Sequence, residues 1–228
     1  MSEPELRIAE DPASEVADLL TEAAEAGGHV VLTGGSSPKR AYELAARRDG
    51  DWSAATVWLS DERCVDPGHP DSNSGLAERS LVSRLSRRPE YVPMKGELGP
   101  DAGAGDYEAE VRARLGGDPR WNLVLLGMGP DGHVASLFPG KPELEERGRM
   151  AVGVPVAGLE PQVPRISLTL PAINAARAVV ILITGEGKAD TVRRAFGPDP
   201  DPALPVTMVR PPYGSLTVIL DDAAASRL

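Results

Sequence analysis

The sequence is poor in the residues that staple, span or stack. Its single cysteine, Cys64, excludes an internal disulfide framework and fits a reducing compartment. No run of about 18 apolar residues occurs, which excludes a membrane-spanning helix. The opening "MSEPELRIAEDP" lacks the basic-then-apolar layout of a signal peptide, so a soluble cytoplasmic protein is expected. Aromatic residues make up 4%, too few for a platform on which bases stack. Excess positive charge is missing too: the formal charge is −10 and the pI about 4.9, against nucleic acid or an anionic membrane as partner. A small anionic substrate remains compatible, because a few focused cations outweigh a diffuse negative surface. Lysine occurs only at Lys39, Lys95, Lys141 and Lys188, and the other cations are arginine.

What is present is regular alternation. The apolar runs "HVVLTGG", "ATVWLSDER", "WNLVLLG", "ARAVVILITGEG" and "LTVILDD" read as strands. Between and after them lie helical patterns: "SPKRAYELAARR", with Pro38 suited to a first turn, "NSGLAERSLVSRL" and "KADTVRRAF". The breaks "HPDSNSG", "ELGPDAGAGD" and "GPDPDPALP" are short enough for loops. The expected fold is α/β: one domain over residues 1–228, with a mainly parallel sheet flanked by helices on both faces. No internal repeat or helix-turn-helix pattern is visible.

In open sheets of this kind, ligands bind beyond the carboxyl ends of the strands. The polar clusters follow the strands there. In "TGGSSP", Gly34 and Gly35 let backbone approach a ligand, and the following helix aims free N–H groups at it, a phosphate cradle. An ordinary strand-to-helix turn is the alternative, and the NTP-binding G-x-x-x-x-G-K-[ST] is absent. "SDERCVD" places Asp61, Glu62 and Arg63 at a strand end. Arg63 suits a bidentate phosphate clamp and Asp61 a hydroxyl or a proton-transfer partner; a surface ion-pair cluster is the other reading. Cys64 beside them reads as a small filler rather than a nucleophile. "TGEGKAD" offers Lys188 as a point charge at the opening of a helix, and "PRISLTLPAINAA" offers Arg165 and Asn174, which face the crevice or cap local backbone.

The stretch "GMGPDGHVASLFPG" contains a literal G-x-G-x-x-G in Gly127, Gly129 and Gly132. A dinucleotide site needs a long helix after the glycines and an acid at the end of the next strand. Here "HVASLF" is cut short by Pro139 and Gly140, and Glu145 and Glu146 lie in a segment that reads as loop or helix. The motif fails on context. His133 has another use, because imidazole, with an ordinary pKa of about 6.5, accepts and returns a proton at neutral pH. His29 opens a buried strand and His69 lies in a Pro/Gly loop, so only His133 stands among the ligand loops.

Together the blocks "LTGGSSPKRAYELAA", "WLSDERCVDPGHPDSNSGLAERSL", "LLGMGPDGHVASLFPG" and "RISLTLPAINAARAVVILITGEGKA" resemble the glucosamine-6-phosphate isomerase/6-phosphogluconolactonase family, over about residues 30 to 196. "DGH-x-ASLFPG" resembles the lactonase form, not the deaminase form. The resemblance implies a sugar-phosphate isomerase-like, modified Rossmann-type fold. It also implies hydrolysis of 6-phospho-D-glucono-1,5-lactone in the oxidative pentose phosphate pathway, with no cofactor or metal and a sugar-phosphate lactone as the only ligand. Carried over by position, His133 is the general base and Asp61 lines the catalytic site; Gly34, Gly35, Ser36, Arg63, Gly129 and Lys188 hold the phosphate or sugar hydroxyls. Three departures stand out: Ser37 for the usual threonine, Val134 for the threonine after the histidine, and Pro212-Tyr213-Gly214 for a histidine–threonine–glycine, which alters the expected outer wall of the site.

A δ-lactone is already reactive, so the expected chemistry needs only a base for water, an anchor for phosphate, and N–H donors for the oxyanion, with Gly129 and Gly132 as candidates. Three other readings remain open: a sugar-phosphate isomerase or deaminase on the same scaffold, a non-catalytic sugar-phosphate sensor, and a dinucleotide-dependent oxidoreductase. A monomer is the expected state.

Overall fold

A computed structural model describes residues 3–116 and 120–228. In chain order the elements are β1 Glu5–Ile8, α1 Pro12–Glu25, β2 Gly28–Leu32, α2 Ser36–Arg48, β3 Ala55–Leu59, β4 Asp61–Arg63, α3 Asn73–Ser80, β5 Glu90–Tyr91 and α4 Pro100–Leu115. There follow β6 Leu123–Gly127, β7 Ala151–Val154, β8 Arg165–Leu168, α5 Leu170–Asn174, β9 Ala178–Ile183, α6 Ala189–Phe196, β10 Ser215–Leu220 and α7 Asp222–Ala225. No helix of the described residues is long and apolar enough to cross a membrane.

Seven strands form a parallel sheet in the order β1-β10-β9-β6-β2-β3-β5. Its central strands are buried on both faces, which is why they read as unbroken apolar runs in the sequence. Right-handed crossovers decide which face each helix covers. The steps β1 to β2, β2 to β3 and β3 to β5 run one way along the sheet, so α1, α2 and α3 share a face, and α2 packs against both others. The step β9 to β10 runs the opposite way, which puts α6 on the other face, beside α7. Although aromatics are scarce, Trp52, Trp58 and Trp121 are all fully buried. Trp58 meets Tyr107 and Trp121 edge-on, with ring centroids 5.9 and 5.5 Å apart.

Two expectations need correction. "ATVWLSDER" is not one strand: the chain leaves the large sheet at Ser60, whose N–H donates to Leu32 O and whose carbonyl accepts from Leu168 N. β4 then joins β8 and β7 in a separate three-stranded antiparallel sheet, which the sequence reading did not anticipate. "ELGPDAGAGD" is not merely a loop, since α4 starts within it at Pro100. Its glycine density hides a helical stripe of Ala104, Tyr107 and Val111, all buried. Lys188 stands at the opening of α6, as its N-cap and the last residue of a short 3-10 turn, Glu186–Lys188. The N-terminal segment, unassigned from the sequence, holds β1 and α1, the helix being capped by the Asp11 carboxylate with Pro12 at its start.

Candidate active site

The strand order turns around at β2, with β3 on one side and β6 on the other, so a crevice opens where the loops leaving β2 and β6 part. A cavity of about 240 Å³ occupies it. Thr33, Gly34 and Gly35 form one wall and Gly127 to Pro130 with His133 another. β4 and β8 bring Asp61, Arg63 and Arg165, and the turn before α6 brings Lys188. Two buried tyrosines hold the strand ends. Tyr42 Oη accepts from Thr33 N and donates to Thr33 O, at 2.9 and 2.6 Å. Tyr107 Oη does the same for Leu59, at 2.8 and 2.9 Å. Backbone groups that the sheet leaves unpaired are thereby satisfied without water.

His133 is set by its own loop. Asp131 Oδ1 lies 2.6 Å from His133 Nδ1 and also accepts the His133 backbone N–H at 3.2 Å. Burial pushes the Asp131 carboxyl up, but the hydrogen bond and charge of His133 outweigh it and leave the group below its ordinary value. An ionised acceptor at Nδ1 fixes the proton there and leaves Nε2 as the basic nitrogen. Phe138 packs on the imidazole with ring centroids 4.7 Å apart. A Cβ on Gly129 would fall 2.1 Å from the imidazole Cε1 and Nδ1, so this position admits no side chain while the ring stays in place.

Asp61 is buried, and its carboxylate accepts from Ser60 Oγ at 3.1 Å and Ser136 Oγ at 2.8 Å. Its backbone carbonyl accepts from Asn73 Nδ2 at 3.0 Å. Glu62, its neighbour, points elsewhere and anchors the start of α3. It accepts Arg63 N, Asn73 N, Ser74 N and Ser72 Oγ, while burial pushes its carboxyl above the usual range. The chain thus carries Asn73 into the cavity wall.

The cations converge. β4 and β8 pair with Arg63 directly opposite Arg165. Like charges across a strand pair are unfavourable unless something anionic lies between them. Burial first, and then the charge of Arg63, lower the Arg165 pKa from its ordinary value. Arg63 Nη1 donates to Asp71 O at 2.7 Å, and its Nε is buried with no partner among the described residues. Burial also lowers Lys188, partly offset by the Asp131 charge. α2 is preceded by Gly35 as its N-cap, with φ +114° and no side-chain cap, so its first N–H groups are available to an anion.

Of the residues singled out in the sequence, Gly34, Gly35, Asp61, Arg63, Gly129, His133 and Lys188 line this one cavity, and Arg165 joins them. Ser36 does not; it faces an adjoining recess with Lys39, Arg63 and Asn73. The N–H groups of Gly129 and Gly132 are engaged by His133 O and Gly129 O, so neither is available to an oxyanion. Ser37 Oγ reaches Thr184 Oγ1 at 2.5 Å and ties the first loop to the fourth. Asn174 caps backbone, accepting from Arg210 N and donating to Met208 O. His29 accepts from the Trp58 indole at 3.1 Å, His69 is exposed, and burial raises the Cys64 thiol to about 11. Pro212-Tyr213-Gly214 immediately precedes β10, at the amino end of the parallel strands, and therefore forms no part of the site's outer wall. Asp131, Asn73 and Glu160 also line or shape the cavity and were not singled out from the sequence; for Asp131 the signal was its place two residues before His133. Among the described residues no group of three or more His, Cys, Asp or Glu could hold a metal ion.

Fold and crevice together define a doubly wound α/β protein with a histidine standing beside a cation-lined switch point. A family model described as glucosamine-6-phosphate isomerases/6-phosphogluconolactonase matches residues 4–218, and the chain belongs to that family. It is 39% identical to human 6-phosphogluconolactonase over 176 residues, covering 76% of this chain and 68% of that one. It is 37% identical to 6-phosphogluconolactonase of Streptomyces coelicolor over 222 residues, covering 91% and 84%. Among solved structures, 6-phosphogluconolactonase from Trypanosoma cruzi superposes with a TM-score of 0.86 at 27% identity, covering 100% of this chain and 98% of that one. A monomeric glucosamine-6-phosphate deaminase superposes at 0.84 with 18% identity over all of both chains, a likeness of fold alone.

Proposed function

We propose that this chain hydrolyses 6-phospho-D-glucono-1,5-lactone to 6-phosphogluconate, with His133 as the general base. The observation that carries the reading is the placement of an oriented imidazole in one cavity with the Arg63–Arg165 pair and Lys188. Nε2 takes a proton from water as its oxygen attacks C1. The tetrahedral oxyanion collapses, the bond from C1 to the ring oxygen breaks, and the imidazolium returns its proton to that oxygen. General base catalysis of this kind contributes about 10²–10⁴-fold. Arg63, Arg165, Lys188 and the α2 N-terminus hold the phosphate, which fixes C1 beside the imidazole. Asp61, held by two serine hydroxyls, presents its remaining acceptor capacity to the sugar. The names of the sequence relatives favour this reading over a deaminase.

The test is hydrolysis of freshly generated 6-phosphogluconolactone against its spontaneous rate, with unphosphorylated gluconolactone and glucosamine 6-phosphate alongside. Acceleration confined to the phosphorylated lactone supports the reading; ammonia release from glucosamine 6-phosphate, or no acceleration, contradicts it.

A further inference from the structure

The donors in the cavity outnumber its acceptors. Arg63, Asn73, Arg165, Lys188 and the α2 N-terminus suit phosphate and acyl oxygens. A sugar ring, however, also presents hydroxyl hydrogens, which need acceptors. Asp61, which accepts from Ser60 and Ser136, keeps acceptor capacity for only part of the ring, and Asp131 is engaged by His133. The remaining carboxylate on the cavity wall is Glu160, on the loop that joins β7 to β8. One of its oxygens, Oε2, accepts Gln162 N at 3.0 Å, and Oε1 has no partner among the described residues.

The loop is held as a binding wall must be. Arg165 is buried, and its guanidinium donates to three carbonyls of this loop. These are Pro161 O at 2.9 Å, Leu159 O at 3.3 Å and Val163 O at 3.3 Å. Two of them belong to the residues on either side of Glu160. Behind it, Ala157 and Leu159 pack with Val154 and Phe138, and Phe138 is the ring that lies against His133. Arg165 thus fixes the backbone on both sides of Glu160, while Phe138 packs against both this loop and the imidazole.

We infer that Glu160 is a specificity residue, accepting a hydrogen bond from a ring hydroxyl of the sugar-phosphate substrate; this rests on the function proposed above. Its negative charge lies at the rim of a cavity with three cations, so phosphate is still admitted while an acceptor is offered to the ring.

The test compares wild type, Glu160→Ala and Glu160→Gln on 6-phosphogluconolactone and its 2-deoxy, 3-deoxy and 4-deoxy forms. Wild type should prefer the full substrate over one of the deoxy lactones by about ten- to hundredfold in kcat/KM, the range for a hydrogen bond to a charged group. Glu160→Ala should close that one gap through KM, with kcat little changed, and Glu160→Gln should keep much of it. No gap in wild type, or an equal fall on every lactone, overturns the inference. Binding of 6-phosphogluconate and of inorganic phosphate, followed by calorimetry, separates this from the proposed reaction. Glu160→Ala should weaken the sugar phosphate but not inorganic phosphate, whether or not any lactone is turned over. Equal affinity of wild type and Glu160→Ala for 6-phosphogluconate also overturns it.

Discussion

One oxygen of Asp131 bonds both the ring Nδ1 and the backbone N–H of His133, at 2.6 and 3.2 Å. The carboxylate thus sets the tautomer of the imidazole and the conformation of the loop that carries it. Asp131→Asn can present an amide N–H to Nδ1 and drive the proton to Nε2, where it blocks the base. kcat should fall by on the order of 10²–10⁴ with little change in KM, as for a misplaced tautomer elsewhere. Steady-state kinetics on the phosphorylated lactone checks this, and a normal kcat would show that the base does not depend on this pair.

Gly129 bears on the same ring from the other side. A methyl there would overlap Cε1 and Nδ1, so Gly129→Ala must displace the imidazole. Displacements of about 1 Å from reacting atoms cost on the order of 10²-fold. The variant should keep most of its resistance to urea while losing turnover; retained activity would place the working base elsewhere.

Lys188 gives the alkaline limb. Its pKa is lowered by burial from the ordinary 10.5, with Asp131 opposing. The charge that the proposed function assigns to phosphate binding is therefore present below the lowered value and lost as pH rises through it. KM for the phosphorylated lactone should rise in the window below 10.5, earlier than an exposed lysine would cause. Lys188→Arg, whose charge persists, should flatten that rise, and an identical profile for the variant would remove Lys188 from phosphate binding.

Glu62 concerns stability more than chemistry. Its carboxylate receives three backbone N–H groups and the Ser72 hydroxyl at the start of α3. Glu62→Gln replaces an acceptor oxygen with an NH₂ aimed at those donors. A cost of about 1–3 kcal/mol follows for the unsatisfied groups, read as a lower urea midpoint at unchanged slope. Stability equal to wild type would mean that α3 does not need this anchor.

The parts legible in the sequence were those with strong local signatures. β2, β6 and β9 are buried parallel strands, so their apolar runs mark them, and the glycines that follow mark the strand ends. His133 stood out because its loop follows such a strand. The small sheet was hidden because β4 is three residues long and charged, and only its pairing with β8 brings Arg63 opposite Arg165. That register depends on residues about a hundred positions apart, beyond any local pattern. Glu160 was hidden for the same reason: its place on the wall comes from Arg165 and Phe138. The N–H groups of Gly129 and Gly132 read as available donors because no local pattern shows that the loop closes on itself through His133 O and Gly129 O.

The central claim is that His133 Nε2 takes the proton from water, and His133→Ala tests it most directly. With 6-phosphogluconolactone as substrate, KM should stay near the wild-type value because the phosphate anchors are untouched. kcat should drop by about 10²–10⁴-fold, the contribution of a positioned base. A kcat equal to wild type would contradict the assignment of His133 and, with it, the mechanism built on the Asp131–His133 pair.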